Sequence, residues 1–281
     1  MTQHSYQTYV LSDPANQTRA EVVPERGGMV TSWQVKDQDL LYLDQPRFAD
    51  PALSVRGGIP ILFPICGNLP DDTYTYRAQT FHLKQHGFAR DLAWKVEDQT
   101  STSLALALHS NAETLKAYPF DFQVLFTYKL INHSLEIHQR YTNLSAAVMP
   151  FSTGLHPYFC VNDKTGLQFS VPATEMWDKI TDKTVGFPGS FDLERDEIDA
   201  ALHPLTAQAA SVTDPSRNLK ITLSYDLTYS TLVFWAVKGK DFYCLEPWSA
   251  PRNALNTSED LLHLEPNKSL ETLVTLSAEF G

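Results

Sequence analysis

Phe122-Gln123-Val124-Leu125-Phe126-Thr127-Tyr128-Lys129-Leu130 is followed by Asn132-His133 and then Leu135-Glu136-Ile137-His138-Gln139-Arg140. In the first run Phe122, Val124, Phe126, Tyr128 and Leu130 share one parity, and Gln123, Leu125, Thr127 and Lys129 take the other. In the second, Leu135, Ile137 and Gln139 alternate with Glu136, His138 and Arg140. A period of two puts one set of side chains on a buried face and the other toward water, which is the pattern of an antiparallel sheet. Asn132-His133 between the runs reads as a turn.

The pattern repeats outward from this pair. Leu219, Ile221, Leu223 and Tyr225 alternate with Lys220, Thr222, Ser224 and Asp226, and Leu270, Thr272, Val274 and Leu276 do the same near the C-terminus. Turn signals separate the runs at Asp13-Pro14, Gly27-Gly28, Pro70-Asp71-Asp72, Pro188-Gly189 and Asp214-Pro215. Helical spacing is weak. Residues 112–118 suit one or two turns, and residues 257–262 carry a Thr257/Ser258 cap before Glu259 and Asp260. The reading is an all-β chain, a large antiparallel β-sandwich. No Gly/Ser run, charge block or repeat divides residues 1–281, so one domain is expected.

Composition narrows the function. The 281 residues are 43% hydrophobic, and 22 Lys+Arg against 33 Asp+Glu give a net charge of −11. The apolar fraction excludes a disordered chain. The sign of the charge argues against a nucleic-acid partner, which needs a basic surface. The longest apolar candidate for a membrane span, Ile59 to Cys66, is short and is interrupted by Pro60 and Pro64. Met1-Thr2-Gln3-His4-Ser5 lacks the basic and then apolar regions of a signal peptide. Cys66, Cys160 and Cys244 are odd in number and widely spaced, so three buried thiols in a reducing cytoplasm are expected, with no disulfide framework and no zinc knuckle.

Four segments break the strand-and-turn pattern. In Val55-Arg56-Gly57-Gly58-Ile59-Pro60 an arginine stands before two glycines that allow close backbone approach; a bulged edge with a surface arginine explains it as well. Gln85-His86-Gly87-Phe88-Ala89-Arg90 presents His86 and Arg90 on one face if it is extended. Pro150-Phe151-Ser152-Thr153-Gly154-Leu155-His156-Pro157-Tyr158-Phe159 sets His156 among apolar and aromatic residues, where burial and a carboxylate partner can tune it for proton transfer. A core histidine bonded to a carbonyl is the plainer reading. Phe242-Tyr243-Cys244-Leu245-Glu246-Pro247-Trp248 ends an apolar strand on Glu246. A carboxylate there is costly unless paired, which makes it a candidate general base or nucleophile. Trp248 offers either a flat surface for a sugar ring or ordinary core packing. No Gly-x-Gly-x-x-Gly, phosphate loop, His-Glu-x-x-His or Gly-x-Ser-x-Gly occurs, so a nucleotide cofactor, a zinc centre and a serine triad lack support.

Taken in order, Arg56-Gly57-Gly58-Ile59-Pro60, His86-Gly87-Phe88-Ala89-Arg90, Gly154-Leu155-His156-Pro157-Tyr158-Phe159 and Glu246-Pro247-Trp248 with Ala254-Leu255-Asn256 resemble the galactose mutarotase-like superfamily, and within it the aldose 1-epimerases and hexose-6-phosphate mutarotases. The resemblance runs from about Glu21 to Phe280. It implies a twisted antiparallel β-sandwich and cofactor-free interconversion of sugar anomers. It implies His156 as general acid on the ring oxygen and Glu246 as general base on the C1 hydroxyl. Arg56 and His86 would bind the sugar, and a middle-region aspartate its hydroxyls: Asp199, with Asp178 as rival. In the phosphate branch Arg56 and Arg90 would hold the phosphate. After Pro60, however, Ile61-Leu62-Phe63-Pro64-Ile65-Cys66-Gly67 replaces that branch's Trp-rich stretch and resembles a group of bacterial aldose 1-epimerase-like proteins instead.

The expected ligand is a sugar or sugar phosphate, with no metal, cofactor, nucleic acid or membrane partner. The competing readings are a sugar-binding or sensor module and a glycosidase or lyase on the same fold. A sensor has no need of both His156 and Glu246. A glycosidase needs two carboxylates and leaves His156 unexplained.

Overall fold

A computed structural model describes residues 6–281. Met1 to Ser5, read above for a signal peptide, lie outside the described residues.

The alternating stretch forms the central hairpin. Strands Phe122–Ile131 and Ser134–Asn143 pair antiparallel from Phe122↔Asn143 to Ile131↔Ser134, and Asn132 turns the chain at φ 54°. Phe122, Val124, Phe126 and Tyr128 are fully buried, as the period required. Gln139 on the buried parity is satisfied internally, because its side-chain oxygen accepts from the Tyr141 and Tyr229 hydroxyls at 2.7 and 2.8 Å. This hairpin sits inside an eight-stranded sheet that also holds Leu219–Tyr225 and Ser269–Phe280.

A second eight-stranded sheet faces it. Its strands run Lys183–Gly186, Glu175–Asp178, Glu197–Leu202, Thr231–Val237, Phe242–Trp248, Gly154–Leu155 and Ile61–Leu62, with Tyr158–Cys160 also paired to Phe242–Trp248. The core lies between the two sheets. Phe63 and Phe151 of one side meet Tyr141 of the other at ring separations of 5.7 and 5.1 Å. A four-stranded sheet over Tyr9–Asp39 adds to the same core through Leu11, Val22 and Trp33. All paired strands among the described residues are antiparallel. No described helix is long and apolar enough to cross a membrane.

Some local expectations are corrected. The first short helix forms at Ala112–Ala117, with Asn111 and Thr114 making a reciprocal capping box. The second is a single turn at Ala254–Thr257, earlier than residues 257–262, because Ser258 takes a left-handed conformation that ends it. Strand Leu262–Leu264 follows. All three cysteines are free, but only Cys66 and Cys244 are buried. Cys160 is half-buried, since its thiol reaches outward to donate to the Asp39 carbonyl at 2.8 Å.

Candidate active site

Backbone hydrogen bonds stitch the four irregular segments side by side. Gly154 and Leu155 pair with Leu62 and Ile61, and the His156 N–H donates to the Pro60 carbonyl at 3.0 Å. On the other side Gly154 pairs with Trp248 and Tyr158 with Cys244. The His86 segment joins through the Phe88 N–H, which donates to the Phe63 carbonyl at 3.0 Å. It is not the extended strand considered above. His86 and Gly87 both take positive φ, and a Cβ on Gly87 would lie 2.3 Å from the Phe63 carbonyl oxygen. Arg90 then sits on a 3-10 turn, Ala89–Asp91. His86 and Arg90 still reach one cavity, by a turn rather than by shared strand parity.

The cavity encloses about 360 Å³. Arg56, His86, Arg90, His156, Asp199, Glu246 and Trp248 all line it. Its floor is the second sheet, where Asp199 lies opposite Trp235, Val233 opposite Glu246 and Thr231 opposite Trp248. Glu246 sits two residues inside its strand, every residue of which is buried, rather than at an end.

His156 and Glu246 face each other across the cavity floor. His156 Nε2 lies 3.4 Å from Glu246 Oε1. The imidazole stacks on Tyr158 at 4.7 Å, and Nδ1 finds no partner beyond its own backbone. Glu246 Oε2 accepts from the Trp248 indole N–H at 3.1 Å. Burial pushes the Glu246 carboxyl well above the usual range, and Asp199 adds to this. Trp248, Arg252 and Arg90 pull it back only in part. Burial first, and then the charge of Arg90, lowers His156 to about 3. Both shifts favour the uncharged form of each group, because neither ion finds enough hydration or pairing. The 3.4 Å contact is also longer than the roughly 2.7–2.9 Å of a charge-assisted bond.

His86 is neutral for the same reason, burial first and then the charge of Arg90. Its Nδ1 accepts from the Gly67 N–H at 3.1 Å, so the ring proton is on Nε2. His86 can therefore only donate from Nε2. Asp199 is held by Arg252 Nη2 at 2.7 and 2.9 Å and by Lys179 Nζ at 3.2 Å. The rival Asp178 is not in the cavity lining; it is bound by Arg195 at 2.7 Å. Arg56 lies over the Trp235 ring at 5.4 Å, and Arg90 keeps a buried Nε without a partner.

Sequence reading missed Arg252, Lys179 and Arg47, which also line the cavity. Arg252 lies four residues after Trp248, between the quoted Glu246-Pro247-Trp248 and Ala254-Leu255-Asn256 stretches, and that position was the available signal. Five cations, Arg47, Arg56, Arg90, Lys179 and Arg252, surround three carboxyl groups, Glu197, Asp199 and Glu246. The donor atoms of His156, Cys244 and Glu246 lie within 4.8 Å of one another. Burial and the neighbouring Glu246 hold the Cys244 thiol protonated.

An antiparallel sandwich with a buried His–Glu pair facing a cation-lined pocket is the setting of a sugar isomerase. The aldose 1-epimerase family model matches residues 7–277, and the chain belongs to that family. It is an isomerase of the epimerase type. Among similar proteins, Protein LacX (chromosomal) of Lactococcus lactis is 31% identical over 257 residues, covering 82% of this chain and 84% of its own. A Salmonella typhimurium protein named "Putative glucose-6-phosphate 1-epimerase" is 30% identical over 169 residues, 57% of this chain and 52% of its own. The crystal structure of Slr1438 from Synechocystis sp. PCC 6803 superposes with a TM-score of 0.98 at 47% identity, covering 100% of this chain and 98% of the other.

Proposed function

We propose that the enzyme interconverts the α and β anomers of an aldohexose, with the hexose 6-phosphate as preferred substrate, and that His156 and Glu246 move the protons. The observation that carries this is the 3.4 Å His156–Glu246 pair on the floor of the cavity. Glu246 takes the proton of the C1 hydroxyl while His156 gives one to the ring oxygen. The C1–ring-oxygen bond breaks and C1 becomes a carbonyl. Rotation about C1–C2 presents the other face, and reclosure runs the two transfers backward.

The pair's proton count supports this assignment. Before ring opening it holds one proton, on His156; afterwards it holds one, on Glu246. The neutral pair favoured by burial is therefore the form that accompanies the open-chain sugar. A bound sugar supplies the polar contacts that make the other form accessible. His86 Nε2–H and Asp199 orient the hydroxyls, and Trp248 and Trp235 flank the ring. The glycosidase alternative is disfavoured because Arg252 and Lys179 already hold Asp199, and because it gives His156, 3.4 Å from Glu246, no role.

Preference for a phosphate is supported by the excess of cations. Arg252 and Lys179 are engaged with Asp199, while Arg56 and Arg90 have no such carboxylate contact among the described ion pairs. The Salmonella relative's name points the same way. Polarimetry on freshly dissolved α-glucose, with anomer-exchange NMR on glucose 6-phosphate, tests the reading. The wild type should accelerate equilibration, and Glu246→Gln or His156→Asn should each lose about 10²–10⁴-fold. Near-normal rates in either variant would sink the assignment.

A further inference from the structure

We propose that Arg252 is a positioning residue for Glu246: it fixes both Trp248 and Asp199, the side chains that set the direction of the carboxyl group and how readily it ionises. This rests on the reading of Glu246 as the base. The contacts form a chain. Arg252 Nη2 spans the two Asp199 oxygens at 2.7 and 2.9 Å. Its guanidinium carbon lies 5.0 Å from the Trp248 ring and 5.7 Å from that of Trp177. Trp248 in turn donates its indole N–H to Glu246 Oε2, which leaves Oε1 toward His156.

The state of the guanidinium argues against a purely structural role. Its Nε and Nη1 are buried with no hydrogen-bond partner. Unpaired buried donors are costly, and arginine retained for stability is normally satisfied all round. What this side chain does instead is lie against two indoles, where a planar guanidinium can stack flat on a ring while its fork holds a carboxylate, a combination that a point-charge ammonium does not reproduce.

The groups facing Glu246 come from several elements. Cys244 and Trp248 share its strand, Asp199 comes from Glu197–Leu202, and His156 and Tyr158 from the segment across the sheet. Arg90 comes from the 3-10 turn and Arg252 from the loop after the strand. His86 stands against His156 and Trp248, Lys179 against Asp199, and Arg56 acts on Cys244 and His156 from farther off. Among them Arg252 touches both Asp199 and Trp248. Removing it takes away a cation that favours the Glu246 carboxylate and releases an anion that opposes it, so both effects raise the same proton affinity.

The test is the apparent titration of the Glu246–His156 pair, followed by carboxyl ¹³C NMR in wild type, Arg252→Met and Arg252→Lys, beside the pH profile of kcat/KM. In Arg252→Met the titration and the acidic limb should move up by about one pH unit or more. In Arg252→Lys the titration should stay near wild type, while kcat falls about tenfold or more with KM for the free hexose changed less than about threefold. Trp248→Phe added to Arg252→Met should cost less than the sum of the single changes. An unmoved titration in Arg252→Met, a wild-type kcat in Arg252→Lys or strict additivity would each overturn the proposal. If Arg252→Met does not fold, Arg252→Lys and the Trp248→Phe/Arg252→Lys pair decide it. A wild type that turns over no sugar would defeat the functional reading, whereas the NMR titration would still judge this one.

Discussion

A carboxyl group left 1% exposed on a fully buried strand has lost the hydration an ion needs, and Glu246 is that group. The consequence is measurable without any substrate. Its folded-state affinity for protons lies well above that of an ordinary glutamate, near 4.5. The stability it contributes is therefore full below pH 4.5 and is lost as pH rises through the folded value. Glutamine in its place does not titrate. Glu246→Gln should accordingly melt higher than wild type at pH 8, by roughly 2–4 °C for each kcal/mol relieved, with the gain shrinking toward pH 4.5. A lower melting temperature for the variant at pH 8 would contradict the burial argument. His156 has the opposite sign. The unfolded histidine takes up a proton below its ordinary 6.5, and the folded one resists until about 3. Stability is thus lost as pH falls between those values, and His156→Phe should flatten that acid limb in a pH series of thermal melts.

At the scale of elements, the site depends on short irregular segments pinned by backbone contacts. His86 shows how. Its N–H donates to the Gly67 carbonyl at 2.7 Å, and its Nδ1 accepts from the Gly67 N–H in return. The turn that permits this needs Gly87 at φ 70°, packed against the Phe63 carbonyl. Gly87→Ala should lower stability by about 2–4 kcal/mol and weaken sugar binding as His86 shifts. Gly189 provides the control: its φ is 85° but nothing lies within 4 Å of an added Cβ, so Gly189→Ala should cost only about 1–2 kcal/mol and leave binding unchanged. Equal losses of stability in the two variants, by denaturant melts, would show that the close contact is unimportant. The parity argument that put His86 and Arg90 on one strand face reached the right cavity by the wrong route. A positive φ at a non-glycine residue such as His86 leaves no mark in a local pattern.

At the scale of the whole molecule, a chain with net charge −11 carries a cavity in which cations outnumber carboxyl groups five to three. The two facts are compatible, because a small anion in a cleft feels the local field more than the average charge. Arg56→Ala and Arg90→Ala should therefore raise KM for glucose 6-phosphate more than for glucose. Raising salt from about 0.01 to 0.15 M, which shortens the screening length from about 30 to 8 Å, should weaken the phosphate and leave the free sugar nearly unaffected. Equal changes on both substrates, by anomer-exchange NMR, would argue for a neutral sugar as the natural ligand.

The alternating runs at residues 122–130 and 135–140 determined the all-β antiparallel class on their own, because period two has one physical meaning in a packed sheet. The unusual polar residues were legible too: His156 and Glu246 stood out as costly groups in apolar surroundings. Tertiary structure decided what those groups meet. It placed Asp199 in the cavity and Asp178 with Arg195, brought Arg252, Lys179 and Arg47 to the same cavity, and set the burial that raises the Glu246 carboxyl and lowers His156. Patterning along a chain reports which side chains are buried. Partners and protonation depend on contacts between strands far apart in sequence, and those exist only once the sheets have closed on each other.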